Sequence, residues 1–375
     1  MEIHTIPTRI PSVQIIYDFV TPQEESFLLE HIDQVGGTTT GNTSNKNWGW
    51  KTLNGRRSMY WGGTILPNSN ALIPTAFPKF MDGSWPNVLE RIAETGVYDE
   101  YSGGKGKGKE RGANHCLVNE YLSSQGILPH TDGPAYQPCT TTLSLGSHTI
   151  LSLRSNPLSQ ATSSSSSSSP SPDPAIPQSS TTTEGATKNE EIDKLELFLP
   201  PRSLLILSST LYSDYLHGIQ PFEMSPIESL KSCANWDQWW NYLEGVEEET
   251  REGVEGLFEG QKEGGEREKA FEEFKKGLKD LNLLAETETR EKGEEERKAQ
   301  AQITEAQEEA EGCEEIGPKT PSWTQVEWIA RVKEQKRTIE EGNGWKRSKR
   351  VSLTCRRVTG KVRDLSGLLG SKGKK

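Results

Sequence analysis

The sequence predicts a mainly β fold with flanking α-helices, interrupted by two long polar segments. Short apolar or alternating runs, bounded by turn residues, recur at 116–122, 140–153, 195–207 and 350–356, which is typical of strands. Two amphipathic helical patterns precede these runs. Because only 32% of the 375 residues are hydrophobic, we expect one folded domain with solvated insertions rather than a core that uses the whole chain.

The N-terminal elements have clear local signals. A short strand is predicted within Ile10–Phe19, and a helix begins next to it. Thr21 can cap that helix, Pro22 suits its first position, and Glu24 completes a capping box. Its apolar face comprises Phe27, Leu28, Leu29, Ile32 and Val35, and Gly36-Gly37 should end it. A second amphipathic helix is predicted for Trp85–Thr95.

Between the two helices lies a stretch rich in Gly, Asn and Trp, which we interpret as a loop region. Aromatic residues alternate there with Lys and Arg, from Trp48 to Gly63. This composition suits stacking on a nucleobase and binding of phosphates. A small aromatic core covering one sheet is an equally good interpretation.

The segment Asn114–Tyr136 carries the most informative residues. Asn119 and Tyr121 are two apart in a predicted strand, so their side chains share one face and suit a small polar ligand. After a turn, His130 and Asp132 are also two apart, so an imidazole and a carboxylate can converge. With one distant His this gives the facial set of non-haem Fe(II) oxygenases, which leaves three metal positions open. Zinc more often takes thiolates or a third His.

His217 is the predicted distal metal ligand. It follows the strong strand signal at 195–207, and Gly218 beside it would let another backbone approach closely. His148 lies in a strand pattern without a neighbouring carboxylate, so we predict a packed or hydrogen-bonded role for it. The same caution applies to His115.

The last informative stretch is Arg350–Arg356. On a strand, Arg350, Ser352, Thr354 and Arg356 share one face. Guanidinium groups bind carboxylates with paired hydrogen bonds, so a ligand with two carboxylates would need two of them. Taken alone, the pattern favours an exposed, basic edge strand. Together with the metal residues, it favours the wall of a ligand cavity.

Two insertions are too polar to form much core. Residues 155–189 are rich in Ser, Pro and Thr and are predicted to be disordered. The second insertion, 220–347, begins with Trp236, Trp239 and Trp240, which could cover the domain. Its section 247–315 has 24 acidic and 11 basic residues, a net charge of −13, whereas the whole chain has −11. The rest is therefore about +2, and the acidic balance does not exclude a nucleic-acid substrate.

Compartment and association are predicted from what the sequence lacks. The five cysteines include no CxxC pair, which is typical of free thiols in a reducing compartment. The first residues lack the apolar region of a signal peptide, and no run of 18 apolar residues follows. We therefore expect a soluble, intracellular protein with no membrane partner. We also expect a monomer, found in the cytoplasm and nucleus.

Taken together, the site residues resemble the AlkB branch of the Fe(II)/2-oxoglutarate-dependent dioxygenases. The motifs are Asn119-x-Tyr121, His130-x-Asp132, His217 and Arg350-x-Ser352-x-Thr354-x-Arg356, in that order. Longer strings are similar to one subfamily: LVNEYLSSQGILPHTDGPAY, SLGSHTIL, LPPRSLLIL, YLHGI and RVSLTCRRV. The resemblance covers about 10–153, 195–220 and 345–360. About 130 residues separate His217 from Arg350, more than is usual in the family.

The resemblance implies a double-stranded β-helix, or jelly roll, supported by the N-terminal helices. Its implied ligands of Fe(II) are His130, Asp132 and His217. The cosubstrates would be 2-oxoglutarate and O2. The implied contacts of 2-oxoglutarate are Arg350 at the distal carboxylate, Arg356 at the carboxylate nearer the metal, and Asn119 and Tyr121 by hydrogen bonds. The implied parts are 1–112 (helices and lid loops), 113–153 (core), 154–194 (insertion), 195–220 (core with the distal ligand), 221–345 (acidic insertion), 346–360 (last core strand) and 361–375 (basic tail).

The expected reaction is oxidative demethylation of alkylated RNA or DNA. The candidate substrate residues, on the lid, are Trp50, Lys51, Arg56 and Arg57. One alternative is a jelly-roll interaction protein that binds metal, turns over slowly and recruits protein partners through its insertions. A second alternative is a dioxygenase that acts on a protein, because a fold does not determine a substrate.

Overall fold

The computed structural model describes residues 2–8, 13–37, 49–100, 112–157, 194–245, 336–339, 341–342 and 344–358. The chain divides into two compact units, Met1–Trp240 with Gly342–Lys375, and Asn241–Glu341. In the second unit, Leu243 and Ile339 are buried. The predicted boundaries of the seven parts stay predictions. Most of the predicted disordered segment (158–189) and the acidic section 247–315 lie outside the described residues.

Two antiparallel sheets form the first unit. The larger sheet has the spatial order β1 (His4–Thr5), β2 (Val13–Ile16), β12 (Leu204–Ser208), β9 (Tyr136–Leu145), β16 (Arg350–Val358), β7 (His115–Tyr121), β4 (Arg56–Trp61) and β3 (Lys51–Leu53). The smaller sheet has the order β11 (Lys194–Leu199), β10 (Thr149–Ser155), β13 (Tyr215–Ile219) and β8 (Ile127–His130). Two two-stranded sheets are separate. One is the hairpin of β5 (Gly63–Leu66) with β6 (Ala71–Pro74), and the other pairs β14 (Met224–Ser225) with β15 (Trp345–Lys346), which are far apart in the sequence.

The path of the chain through these sheets confirms the jelly roll. From β7 onward it goes to β8 in the smaller sheet, back to β9, across to β10 and β11, back to β12, across to β13, and returns at β16. One cavity is lined by residues from both sheets, so the sheets face each other. The long interval between His217 and Arg350 does not disturb this order, since β16 lies between β7 and β9.

The larger sheet has one face toward the cavity and the other toward the helices. Cys116 and Val118 on β7, and Leu353 and Cys355 on β16, point toward the helices and join one apolar core. That core also contains Leu28 and Ile32 of α1 (Pro22–Gly37), and Val88, Leu89 and Ile92 of α2 (Val88–Glu94). The alternate residues of β7 and β16 therefore point into the cavity between the sheets.

Helix α1 begins with the predicted capping box. The Thr21 backbone N–H donates to the Glu24 carboxylate at 2.8 Å, and the Glu24 N–H donates to Thr21 Oγ1 at 3.2 Å. Near the other end, the Trp50 indole would lie 2.0 Å from a Cβ placed on Gly36. A residue without a side chain is thus needed there. Helix α2 begins three residues later than predicted, because Asn87 has a left-handed backbone with φ 56°.

The predicted loop between the helices contains a β-hairpin, so that interpretation was wrong for 51–61. Strands β3 and β4 pair antiparallel, and β4 also pairs with β7. Trp61 is fully buried in the core, whereas Tyr60 is 42% exposed. The alternation of polar and apolar residues that predicts a strand was obscured, because Arg56 and Arg57 are both charged and point to opposite faces of β4.

The first part of the predicted second insertion packs with the jelly roll. The ring of Phe198 on β11 lies 5.3 Å from Trp236 and 4.5 Å from Trp239. Neither Phe198 nor these two tryptophans line the cavity between the sheets, so they cover the outer face of the smaller sheet. Two short helices, α3 (Thr210–Ser213) and α4 (Ile227–Lys231), lie in the same part of the chain.

The membrane and thiol predictions can be compared with the structure only for the residues that it describes. Within it, no helix is both long enough and apolar enough to cross a membrane. The four cysteines it includes, Cys116, Cys139, Cys233 and Cys355, are free and buried.

Candidate metal centre and adjoining cavity

The paired strands β8 and β13 bring the two predicted histidine ligands together. His130 and His217 are direct register partners, and their rings lie 4.4 Å apart. Asp132 follows β8, and its Oδ1 lies 3.7 Å from His217 Nε2. One ligand atom of each of the three residues lies within 4.8 Å of the others. Two imidazoles and a carboxylate in this arrangement fit a facial Fe(II) site. That they bind the metal stays a prediction.

Local contacts orient the two ligands from the HxD segment. His130 Nδ1 lies 2.8 Å from the Leu128 carbonyl oxygen. A carbonyl only accepts, so Nδ1 carries the proton and Nε2 is left to bind a metal. Asp132 accepts hydrogen bonds from Thr140 Oγ1 at 3.1 Å and from Arg356. These donors fix the carboxylate before any metal binds.

Burial and neighbouring charges determine the protonation of the site. Burial alone would raise the pKa of Asp132, but Arg356, His217 and Thr140 together hold that pKa below its usual value. Burial lowers the pKa of His217 to about 4, and His130 and Arg356 add to this effect against the attraction of Asp132. At neutral pH the triad therefore offers an ionised carboxylate and an unprotonated His217, the forms that bind metals.

Three adjacent strands present a polar surface beside the triad. On β16, Arg350 is opposite Tyr121 and Ser352 is opposite Asn119 of β7. On the other side, Ser352 is opposite Ser144 of β9. The opposite wall, formed by the smaller sheet, is apolar and includes Ile127, Leu151, Leu199 and Ile219. Such a mixture suits a small ligand with carboxylates at its ends and methylenes between them.

Arg350 is a buried cation in the wall of this cavity. It is 2% exposed, its Nη2 donates to Ser144 Oγ at 2.9 Å, and its Nε has no partner. Among the described residues it forms no ion pair with a carboxylate. Burial lowers its pKa to about 10, and Arg347 adds to that effect against the opposing influence of Tyr121. A buried cation without a counter-ion is costly, so a bound carboxylate would stabilise it.

Arg356 has a different environment from Arg350. Burial works to lower its pKa, but Asp132 and Tyr136 raise it overall. Its guanidinium forms an ion pair with Asp132, and its Nε has no partner. The predicted contact of Arg356 with the carboxylate nearer the metal stays a prediction. What the structure shows is a second role, that of fixing Asp132.

The candidate substrate residues do not form one surface. Trp50 and Lys51 line a second cavity. Arg57 forms ion pairs with Glu120 and Asp33 at 2.6 and 2.8 Å, which link β4 to β7 and α1. Arg56 lies on the opposite face of β4, and its Nε donates to Asn119 Oδ1 at 3.1 Å. The predicted substrate roles stay predictions, but the two arginines have separate partners.

Several residues of the site were missed in the sequence. Thr140 holds Asp132 and Ser144 holds Arg350. The period-two polar stripe Thr140, Thr142 and Ser144 could have revealed both. Arg347 was also missed; it donates to the carbonyls of Gln220, Phe222 and Gln125. No local pattern marks it.

His148 has the packed role that we predicted, with Nε2 3.0 Å from Ser225 Oγ and its ring stacked on Trp345.

Two proteins described as ALKBH homologues are similar to this chain in sequence, and one solved structure was matched by fold. No protein-family model matches the chain. A probable RNA/DNA demethylase, ALKBH6 of Danio rerio, is 33% identical over 220 residues, which cover 59% of this chain and 74% of that protein. An alkylated DNA repair protein ALKBH8 homolog of Arabidopsis thaliana is 24% identical over 221 residues, 59% of this chain and 54% of that protein. The solved structure of OsALKBH1 has a TM-score of 0.35 at 14% identity and covers 61% of this chain and 92% of its own.

Proposed function

This chain belongs to the AlkB family, and we propose that it is an Fe(II)- and 2-oxoglutarate-dependent dioxygenase that demethylates an alkylated RNA or DNA. The resemblance to this family in the sequence is thereby confirmed, and the subfamily that the longer strings resemble is that of AlkB homologue six. The cofactor, the cosubstrate and the substrate are parts of the proposal.

One observation carries the proposal most directly. The buried guanidinium of Arg350, which forms no ion pair with a carboxylate of the described residues, and the His130, Asp132, His217 triad line the same cavity between the sheets. A ligand that reaches both must have a carboxylate at one end and metal-binding oxygens at the other, as 2-oxoglutarate has. A protein that only held a metal would not need a buried cation at this place.

Each residue has a defined task in this proposal. His130, Asp132 and His217 would hold Fe(II), which together with 2-oxoglutarate and O2 supplies the oxidation of a substrate C–H bond. Arg350 binds and orients the far carboxylate of the cosubstrate, and Ser144 fixes the rotamer of Arg350. The leucines and isoleucines of the smaller sheet line this cavity and would exclude water once the ligands are bound. A methyl group on nitrogen, once hydroxylated, leaves as formaldehyde when its C–N bond breaks and a proton returns to the nitrogen, so demethylation is the outcome for an N-methylated base.

The substrate class is supported by the name of one relative and by the charge of the chain outside its acidic section. The Danio rerio relative is described as a probable RNA/DNA demethylase. Outside 247–315, the chain has a net charge of about +2, so it does not repel a polyanion strongly. The cytoplasm and nucleus, where such substrates occur, are the compartments that we propose.

The test is the formation of succinate by purified protein supplied with Fe(II) and 2-oxoglutarate. We expect slow turnover without substrate and faster turnover with one member of a panel of methylated RNA, DNA and peptides, measured together with loss of the methyl group. Arg350→Lys serves as the matched control, since it keeps the charge but loses the fork. If wild-type protein and this variant form succinate equally well, the assignment of the cavity is wrong. Stimulation by a methylated peptide alone would shift the proposal to a protein substrate.

A further inference from the structure

A second cavity, of about 580 Å³, lies beside the metal centre. Its volume is within the range of small-ligand pockets, about 300–1,000 Å³. The described residues that line it differ from all of those around the metal cavity. The boundary is formed by Tyr136, whose ring lies 5.0 Å from Arg356 Cζ, and Arg356 contacts Asp132. Two side chains therefore separate the second cavity from the predicted metal ligands.

One wall of this cavity is a row of three aromatic rings from three strands. His115 of β7 lies 5.6 Å from Tyr60 of β4 and 5.7 Å from Tyr136 of β9. Burial and Arg356 lower the pKa of His115 to about 4, so its ring is uncharged at neutral pH. Tyr60 is 42% exposed, which leaves ring surface available. Tyr60 is therefore the ring of this row that offers a free face, and proteins use such faces to stack on unpaired bases.

The charges around this cavity distinguish a cationic ligand from a neutral ring that carries an anion. Lys51 lines it and is exposed, and no lining residue that the structure describes is acidic. Arg57 Cζ lies 4.3 Å from the Trp50 ring centre, and Arg356 lies over Tyr136. A cationic ligand such as a methylated lysine would compete with these guanidinium groups for the rings. A neutral ring joined to an anion fits better.

Resting on the proposed function, we propose that this cavity is a stacking subsite for an unreacted nucleobase of a single-stranded substrate. The base stacks against Tyr60, and the phosphate beside it pairs with Lys51. It is not the base that is oxidised, because Tyr136 and Arg356 lie between the cavity and the metal ligands. It is a neighbour in the same strand, and the strand must be single, since a paired base cannot enter.

The first test measures the affinity of short single-stranded RNA and DNA oligonucleotides by fluorescence anisotropy. Loss of one stacking contact in Tyr60→Ala should raise Kd about tenfold, whereas Tyr60→Phe should stay within about twofold, because the ring face is kept. Leu53→Ala is the matched control. Leu53 is 41% exposed on the same hairpin but does not line the cavity, so this variant should bind as wild type does.

A second test uses the charge at the rim and the length of the ligand. Lys51→Gln should reduce the slope of log Kd against log salt concentration by about one, because one phosphate contact is lost. Wild type should bind a dinucleotide with one methylated base more tightly than the methylated mononucleotide, and Tyr60→Ala should lose this difference.

The outcomes separate this inference from the proposed function. Succinate formation by wild type is measured in parallel, and its absence refutes the enzyme but not the subsite. If wild type forms succinate and Tyr60→Ala binds oligonucleotides as tightly as wild type, the subsite is refuted and the enzyme stands. Failure of wild type to bind any oligonucleotide, or Tyr60-dependent binding of a trimethyl-lysine peptide instead, also refutes the subsite.

Discussion

The side chain of Arg56 donates a 3.1 Å hydrogen bond from Nε to Oδ1 of Asn119. With its carbonyl oxygen engaged in this way, Asn119 has its amide NH2 group left as the donor toward the cavity that it lines. Arg56 thus orients a residue that is predicted to bind the cosubstrate, although the sequence suggested a role with nucleic acid.

We predict that Arg56→Ala raises the KM for 2-oxoglutarate about fivefold with a much smaller change in kcat, because the loss of one hydrogen bond lets the Asn119 amide rotate. The measurement is succinate formation as a function of 2-oxoglutarate concentration. Arg57→Ala is the comparison. It removes the partner of the buried Glu120, so it should lower the unfolding temperature instead. An unchanged KM in Arg56→Ala would show that Asn119 is fixed by other contacts.

We predict opposite effects of Arg350→Met on stability and on binding. Without ligand, the unfolding temperature should stay the same or rise, because a buried cation with an unpartnered Nε is replaced by an apolar side chain. The increase in unfolding temperature that 2-oxoglutarate gives the wild type should disappear, and its affinity should fall more than a hundredfold. The measurement is thermal unfolding across a 2-oxoglutarate titration. A variant that 2-oxoglutarate still stabilises would contradict the role of Arg350.

We predict that two predicted metal ligands, each replaced by alanine separately, differ in their effect on the stability of the fold. His217→Ala and Asp132→Ala should both lose bound Fe(II) and turnover. Only Asp132→Ala should also be destabilised, by about 3–5 kcal/mol, because it leaves the buried Arg356 without its counter-ion. Metal content and urea unfolding of the metal-free proteins measure the two effects. If His217→Ala kept full succinate formation, the ligand set would be wrong.

We predict that His148 makes the protein less stable in acid. Burial lowers its pKa to about 3, and Arg347 and Arg350 add to this. The ordinary value is about 6.5, so between pH 6.5 and 3 the unfolded chain binds a proton that the folded chain does not. Stability therefore falls as the pH drops below 6.5, by up to about 1.4 kcal/mol per pH unit from this residue. Urea unfolding of His148→Gln should show a correspondingly smaller slope. An equal slope in both proteins would assign the acid sensitivity to other groups.

We predict that the Ser/Pro-rich insertion is dispensable for folding. Arg154 and Lys194 are direct register partners on β10 and β11, so the two ends of the insertion lie side by side and a short turn can join them. Asn156 should be kept, because its N–H donates to the Asp214 carbonyl at 2.7 Å. Replacing 159–191 by a glycine-rich turn should change the unfolding temperature by only about 2 °C and leave turnover intact. Insoluble protein would show that the segment contributes to the fold. Deletion of 247–315 is the parallel experiment, with the same expectation.

The sequence by itself determined the strands of the jelly roll that line the cavity and the order of their site residues. Alternation along β7 and β16 is a local property, because successive side chains of a strand point to opposite faces wherever the strand lies. Asn119 with Tyr121, and Arg350 with Arg356, could therefore be assigned to one face each before their neighbours were known. The capping box of α1 is local for the same reason, since its two hydrogen bonds join residues three apart.

Tertiary structure alone decided which of these residues meet. The register of β13 against β8 places His217 opposite His130, and the pairing of Arg356 with Asp132 joins residues 224 positions apart. The hairpin β3–β4 was missed because β4 gains its stability by pairing with β7, not from its own apolar pattern. That same pairing sends Arg56 to Asn119 and Arg57 to Glu120. Such contacts depend on register between distant segments, which no local pattern encodes.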